Sequence, residues 1–308
     1  MQKNYKFNDL FLSKNPDDLL MFYNSFKNRE DLINWSRKRP RGRTKIYEIA
    51  GDKKIIIVIP TPDINGEMAK RDKKIFRGFH IIFVSSEGID PFFNYSHNSN
   101  AGIKRALKYN PKWIVISNDD ISKIDELSVL KNELEHLNEK STDMVITEYL
   151  NTFVCKPTAL SKFRYWLRLI LHGKTYGYAL LKRLSYYDKY WRLFKPLGVD
   201  YMTVRNRPIN RLSFKKIRSF LGTGYFTILS ANFAKRFNGK VFDETFINSY
   251  EDIDLSLRFK PSEITKINFR IAPYKSGGNS LGKGIVRDLR DFFGIVYFDE
   301  KFKKGKYN

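Results

Sequence analysis

Short, almost uninterrupted apolar runs recur through the first half of the chain. Lys54–Pro60 reads KIIIVIP, His80–Ser85 reads HIIFVS and Trp113–Ser117 reads WIVIS. None alternates apolar with polar positions, so each predicts a strand buried on both faces, as in a parallel sheet. Met144–Tyr149 (MVITEY) predicts a fourth strand, and Tyr225–Ser230 (YFTILS) a further one after a long interruption. Helical patterns lie between the early runs, over Glu67–Phe76, Asn100–Tyr109 and Ile124–Glu139. A helix from Tyr250 and a strand near Ile267–Ile271 complete the pattern. Strands alternating with helices predict an α/β fold, a Rossmann-like mixed sheet flanked by helices. Ligands of such sheets bind beyond the carboxyl ends of the strands, so polar residues just after each run are the candidates for chemistry.

Residues 1–50 read as a separate helical and basic preface, with residues 51–308 as the main domain. Asn15-Pro16-Asp17-Asp18 marks a helix start, because Pro suits the first turn and acids suit the N-terminal end of the dipole. That helix is expected to run through LLMFYNSF. The basic knot Arg37-Lys38-Arg39-Pro40-Arg41-Gly42-Arg43 reads as a solvated linker.

Charge changes the picture more than length does. The 308 residues carry a net charge of +23, which calls for a phosphate-bearing counterpart: a nucleotide, a nucleic acid or an anionic lipid. Residues 156–218 hold sixteen Lys or Arg and two Asp, a net of +14, together with Trp166, Trp191 and many Tyr. This stretch reads as a basic aromatic helical insertion. Leu160, Phe163, Trp166, Leu167, Ile170 and Leu171 share one helical face, and Leu180, Leu184, Tyr187, Trp191 and Phe194 form a second stripe. Such stripes serve either to pack on a core or to lie on an anionic membrane surface. The only cysteine is Cys155, which excludes an internal disulfide and a cysteine-built metal site. The opening residues lack the apolar core of a signal peptide, and no stretch is long and apolar enough to span a bilayer. A cytoplasmic location is expected, with peripheral attachment to the inner membrane face. The abundance of Lys, Ile, Asn, Tyr and Phe fits an AT-rich genome such as that of an archaeon or its virus.

Three constellations could carry chemistry. Asn118-Asp119-Asp120 directly follows WIVIS, where hard oxygen ligands suit Mg²⁺ or Mn²⁺ and those ions suit diphosphates. Taken alone, one of these acids could simply cap the next helix. Asn98-Ser99-Asn100-Ala101-Gly102 could bring backbone N–H groups to a phosphate, or form a turn and an N-cap. Tyr250-Glu251-Asp252-Ile253-Asp254 places three acids at a helix start, fit for general-base work or for a solvated helix terminus.

Together these residues resemble the family 2 glycosyltransferases of GT-A fold. KIIIVIPTPD is similar to that family's opening strand with its Pro-Thr turn. Asn100-Ala-Gly-Ile-Lys-Arg-Ala followed by WIVISNDDI resembles its Asn-x-Gly helix, strand and DXD-type metal motif. FNGKVFDETFINSYEDIDLSLRF resembles its signature of Gly, Phe-Asp-Glu, then Glu-Asp-x-Asp-Leu and Arg. The likeness spans roughly residues 54–260, interrupted by the basic segment.

The resemblance implies an enzyme that moves a sugar from a nucleoside-diphosphate donor to an acceptor hydroxyl with inversion, aided by Mn²⁺ or Mg²⁺. Pro60 and Thr61 would line the nucleoside pocket, Asp119 would face the ribose or donor sugar, and Asp120 would bind the metal. Asn100 and Gly102 would belong to the donor site. Asp252 would be the base, with Glu251 helping on the acceptor side and Gly222–Gly224 in the acceptor loop. Asp254 and Arg258 would anchor their helix. Two positions depart from the family pattern. Asp63 stands where Asn is usual. The acid expected after the second strand is replaced by Ser85-Ser86 with Glu87 close by, which leaves base preference open. A glycan or lipid-linked acceptor would suit the basic segment. A basic α/β nucleic-acid-binding protein and a catalytically silent glycosyltransferase relative are the competing readings. No nucleic-acid motif accompanies the charge, so nucleic acid is not the expected partner.

Overall fold

A computed structural model describes residues 2–147, 153–156, 203–206, 220–222, 225–274, 281–282 and 284–303. The chain opens with three helices, α1 (Gln2–Leu12), α2 (Pro16–Asn24) and α3 (Arg29–Lys38). It then forms β1 (Lys45–Ile49), β2 (Asp52–Thr61), α4 (Glu67–Ile75), β3 (Phe79–Ser85) and α5 (Tyr95–Ala106). Next come β4 (Trp113–Ser117), β5 (Ile121–Lys123), α6 (Leu127–Glu135) and β6 (Met144–Thr147). Three short strands, β7 (Phe153–Lys156), β8 (Thr203–Asn206) and β9 (Phe220–Gly222), precede β10 (Phe226–Ser230) and α7 (Ala231–Arg236). The described residues end with α8 (Glu251–Ser256), β11 (Ile264–Ile267), β12 (Ile271–Pro273) and α9 (Gly284–Lys303).

Seven strands form one mixed sheet in the order β1-β3-β2-β4-β10-β6-β11. β3, β2 and β4 are mutually parallel, β10 runs against both β4 and β6, and β11 lies parallel to β6. The apolar runs explain the layers. Ile55, Ile57 and Ile59 of β2, Ile81 and Phe83 of β3, and Trp113 and Val115 of β4 join one core with Ala69 and Phe76 and with Leu127, Leu130 and Leu134 of α6. The alternate positions Ile56, Val58, Ile82, Val84, Ile114 and Ile116 join a second core with Ile103 and Ala106 of α5 and Phe233 and Ala234 of α7. A strand feeding both faces needs no polar alternation, which is why these runs read as they do.

A third core joins the residues before 50 to the rest of the chain. Phe11, Leu19, Phe22, Tyr23 and Trp35 from the first three helices pack with Leu289, Phe292 and Phe293 of α9 and with Phe246 and Ile247. The Tyr23 hydroxyl donates to the Leu289 carbonyl at 2.6 Å, and β1 adds to the sheet edge by pairing with β3. The preface is thus part of the same packed body. Its basic knot is solvated only in part, at Arg37, Lys38, Pro40 and Arg43. Arg39 is buried, donates to the Pro91 carbonyl at 2.7 Å and lies over the Phe11 and Phe92 rings. Arg41 donates to the carbonyls of Ser36 and Arg39. A guanidinium can enter such a place because aromatic faces and free carbonyls replace its water.

Other expectations shift by a few residues. The expected strand near Ile267–Ile271 is two strands, β11 and β12, and the helix expected from Asn100 begins at Tyr95. β7, β8 and β9 form a small antiparallel sheet, with β7 and β9 at the borders of the basic segment and β8 inside it, so the insertion expected to be helical also contains a strand. The two amphipathic stripes, with Trp166 and Trp191, lie outside the described residues. Among the described residues no helix is long and apolar enough to cross a membrane.

Candidate functional site

The site grows from the place where β2 and β4 part. β2 pairs with β3 through Thr61↔Ser85, but its pairing with β4 stops at Val58↔Ile116. Pro60, which has no N–H to donate, occupies the stretch of β2 beyond that divergence. The connections from β2 to β3 and from β3 to β4 leave in opposite directions, so this is the switch point where an open α/β sheet has a crevice. Thr61 ends one wall, and Asn118-Asp119-Asp120 ends the other.

Thr61 is buried and its hydroxyl donates to Asp119 Oδ2 at 2.8 Å. Burial raises the Asp119 carboxyl and the nearby Asp120 charge adds to this, while the Thr61 bond and Arg71 oppose them. Asp120 is raised by burial too, against the pull of Asn118 and Arg71. Asn118 is held by its N–H to the Tyr225 carbonyl at 2.9 Å, and its buried Oδ1 has no hydrogen-bond partner. A third acid joins them from α4. Asp72 is fully buried, neither of its carboxyl oxygens is hydrogen-bonded, and burial beside Asp119 pushes its pKa up to about 9.

Arg71 is the counter-charge. Its Nη2 donates to the Ile121 carbonyl, and its guanidinium lies 3.5 Å from the centre of the Tyr274 ring. Tyr274 is fixed in turn, because β12 pairs with β5 and the Tyr274 N–H donates to the Asp120 carbonyl at 2.6 Å. The short ladder directly after the acidic pair therefore carries both the carboxylates and their aromatic neighbour. Sequence reasoning missed Arg71, Asp72 and Tyr274. Only the charged helix face of EMAKRDKKI could have pointed to the first two, and it reads equally as solvated surface.

Ser86 and Glu87 close the loop after β3. The Ser86 N–H donates to the Thr61 carbonyl and the Gly88 N–H to the Pro62 carbonyl, so this loop lies against the end of β2. The Ser86 hydroxyl donates to the Gly88 carbonyl at 2.9 Å. Glu87 adopts φ 54° and is paired with Lys45 at 2.8 Å, which lowers its carboxyl below the usual range. Asp63 is exposed and accepts from the Asn65 N–H at 2.8 Å.

Asn100 and Gly102 have visible structural uses. The Asn100 amide exchanges two bonds with the Phe242 backbone, at 2.9 Å each way, and donates to Glu244 Oε1 at 3.0 Å. A Cβ on Gly102 would stand 2.2 Å from Val58 Cγ1, so this position lets α5 seat on the sheet. Asn94 and Asn248 continue the stitching. Asn94 donates to the Phe246 carbonyl at 2.7 Å, and the Tyr95 N–H donates to Asn248 Oδ1 at 2.7 Å. α5 is thereby sewn to the segment that leads into α8.

α8 is preceded by Tyr250, which holds the left-handed conformation at φ 70°. Glu251 is buried, its Oε2 has no hydrogen-bond partner, and burial beside Asp252 raises its pKa to about 8. Asp252 is half-buried, and its Oδ1 accepts from the Ile253 N–H at 2.8 Å. Asp254 is fully buried and ion-paired with Arg258 at 3.0 Å and with Lys301. Arg258 also donates to the Val241 carbonyl at 2.8 Å, so this pair ties α8 to the chain before it. α9 packs over the turn: a Cβ on Gly294 would meet Ser249 Oγ at 2.8 Å and Tyr250 Cδ2 at 3.0 Å.

Tyr95 links the two acidic groups. Its phenol is pushed up by burial, by Glu251, and further by Asp252 and Asp120. Residues about 130 apart in sequence thus act on one hydroxyl. Of the sequence candidates, Thr61, Asp119, Asp120, Glu251 and Asp252 converge on this region. Asn100 and Gly102 hold the scaffold beneath it, and Gly222 lies in β9, with residues 223–224 outside the described residues. No group of three or more His, Cys, Asp or Glu side chains with metal-holding geometry occurs among the described residues. The chain matches no known protein-family model and no curated protein.

Proposed function

We propose that this protein is a nucleotide-sugar-dependent glycosyltransferase of GT-A fold, similar to the inverting family 2 enzymes. The observation that carries this reading is that Asp120, which follows β4 at the switch point of the sheet, and Glu251 and Asp252 at the start of α8 all act on Tyr95. A diphosphate needs a positive partner, and an acceptor hydroxyl needs a base. Asp119-Asp120 would hold a divalent cation that serves as the first, and Glu251-Asp252 would supply the second.

Asp120, with Asp119 held by Thr61 and the unpartnered Asn118 Oδ1 beside it, offers the hard oxygens that suit Mg²⁺ or Mn²⁺. One or two carboxylates suffice when substrate phosphates complete the coordination. A bound divalent ion would stabilise charge on the departing diphosphate. Asp252 is the base in this reading, since it keeps solvent access, whereas Glu251 stays protonated at neutral pH and acts as a hydrogen-bond donor. Attack of the acceptor oxygen on the anomeric carbon in one step inverts its configuration. The acceptor is a glycan or lipid-linked glycan, and the protein works in the cytoplasm, attached to the membrane face through its basic segment.

Metal-dependent hydrolysis across a panel of nucleotide sugars tests the reaction class. Asp252→Asn should lower turnover roughly 100- to 10,000-fold while sparing donor binding, and Glu251→Gln should cost less. Normal turnover by Asp252→Asn with a dead Glu251→Gln would move the base to Glu251. The +23 charge favours one competing reading, a nucleic-acid-binding protein. Thermal stabilisation by a nucleoside diphosphate with Mn²⁺, but not by DNA or RNA, separates the two.

A further inference from the structure

Lys301, near the end of α9, bonds both ends of the segment that carries Glu251 and Asp252. Its Nζ lies 2.9 Å from Asp243 Oδ2 and is ion-paired with Asp254 Oδ1. The residue is 8% exposed, and its ammonium also lies 5.5 Å from the centre of the Phe246 ring and 5.6 Å from that of Tyr297. An ammonium enters such a place only where carboxylates and ring faces replace its water. Both acids are held by other groups as well. The Tyr297 hydroxyl and the Thr245 N–H donate to Asp243 at 2.8 and 3.0 Å, and Arg258 pairs with Asp254 at 3.0 Å.

Between those two ends the backbone takes an unfavourable shape. Asn248 and Tyr250 have φ of 56° and 70°, and Glu251 and Asp252 follow directly. Side chains disfavour that left-handed region, and such residues persist where their surroundings over-determine them. α9 supplies those surroundings from one face. Asp291 accepts from the Ser249 hydroxyl, Gly294 lies against Ser249 and Tyr250, and the Phe298 ring is 5.8 Å from that of Tyr250. Lys301 continues the same stripe, since positions three and four apart share a helix face.

We infer that Lys301 is a positioning residue for this acidic turn: by tying Asp243 to Asp254 it fixes where Glu251 and Asp252 stand. This rests on the glycosyltransferase reading above, in which Asp252 takes the acceptor proton. Lys301 acts through the carboxylates it holds and touches neither donor nor acceptor. Its effect falls on the chemical step, whereas donor binding belongs to Asp119 and Asp120 across the site.

Two variants of the full chain separate positioning from stability. Lys301→Met takes the shared cation from two buried acids and should lower the melting temperature, as breaking a buried pair does. The double variant Asp243→Asn/Lys301→Met removes one charge of each sign and should melt near the parent. Both should lower kcat for Mn²⁺-dependent hydrolysis of the parent's best nucleotide sugar by about 100-fold, the scale of a displacement of about 1 Å. Calorimetry with the matching nucleoside diphosphate in Mn²⁺ should return the parent's affinity for both. Hydrogen exchange should quicken at residues 245–252 and stay slow in β2 and β4. A double variant that recovers kcat together with its melting temperature would overturn the inference and leave Lys301 a structural residue. Equal losses of kcat and of donor affinity would overturn it as well, with the glycosyltransferase reading intact. A parent protein that hydrolyses no nucleotide sugar would remove that reading, and the positioning role with it, whatever the exchange shows.

Discussion

A fully buried carboxyl with neither oxygen hydrogen-bonded keeps its proton well past neutrality, as Asp72 does to about pH 9. The unfolded chain would release that proton near pH 4, roughly the ordinary carboxylate value. Between those limits the native state holds one proton more, so stability falls as pH rises through the window. Asp72→Asn is neutral at every pH. It should raise the melting temperature at pH 8 and leave it nearly unchanged at pH 4, as scanning calorimetry can show. An equal shift at both values would mean an ionised and paired Asp72. Asp120→Ala makes a different demand. It should abolish the Mn²⁺-dependent part of nucleoside-diphosphate affinity, and equal binding by the parent in EDTA and in Mn²⁺ would contradict the metal role.

At the scale of elements, α9 and α8 meet with no room to spare. Gly294→Ala drives a methyl group into Ser249 and Tyr250, and Tyr250 already holds a left-handed backbone. Overpacking of this kind costs about 1–3 kcal/mol. The strain falls on the residue preceding Glu251, so turnover should drop more than donor affinity. Steady-state kinetics paired with a denaturant melt separate the two losses. The same contact shows why parts of the site were illegible in sequence. Ile55–Ile59 and Trp113–Ser117 announce themselves because a strand buried on both faces leaves only one composition open to it. Asp119 and Asp120 are visible because they follow such a strand. Tyr274 joins the site only through the β5–β12 ladder, two strands of three residues whose pairing bridges about 150 positions, and Arg71 and Asp72 reach it from α4 through contacts with Ile121 and Asp119. β1 and α3 escaped notice for a related reason: KIYEI and REDLINWSRK mix polar and apolar positions and gain their order from partners far along the chain.

For the whole molecule, the +14 stretch at residues 156–218 sits between β6 and β10. Thr147 ends β6, and Tyr225, just before β10, bonds Asn118 beside the acidic pair. Both described borders of this stretch therefore lie at the carboxyl-end edge of the sheet. Basic side chains near an anionic bilayer contribute about 1 kcal/mol each, less at high salt. The protein should sediment with anionic vesicles at low salt. Trp166→Ser should weaken this without altering charge, and a failure to pellet would assign the stripes to core packing.

The third core joins α1, α2 and α3 to α9, and Tyr23 meets Leu289 across 266 residues. During synthesis these first helices leave the ribosome early, with Phe11, Phe22 and Trp35 uncovered. At 5–20 residues per second, roughly 10–50 s pass before their partner emerges. For that interval a nascent chain carries an aromatic surface whose partners, Phe246, Ile247 and α9, lie far along the chain. Its yield in a cell should therefore depend on holdase chaperones, and a slowed ribosome should lower that yield.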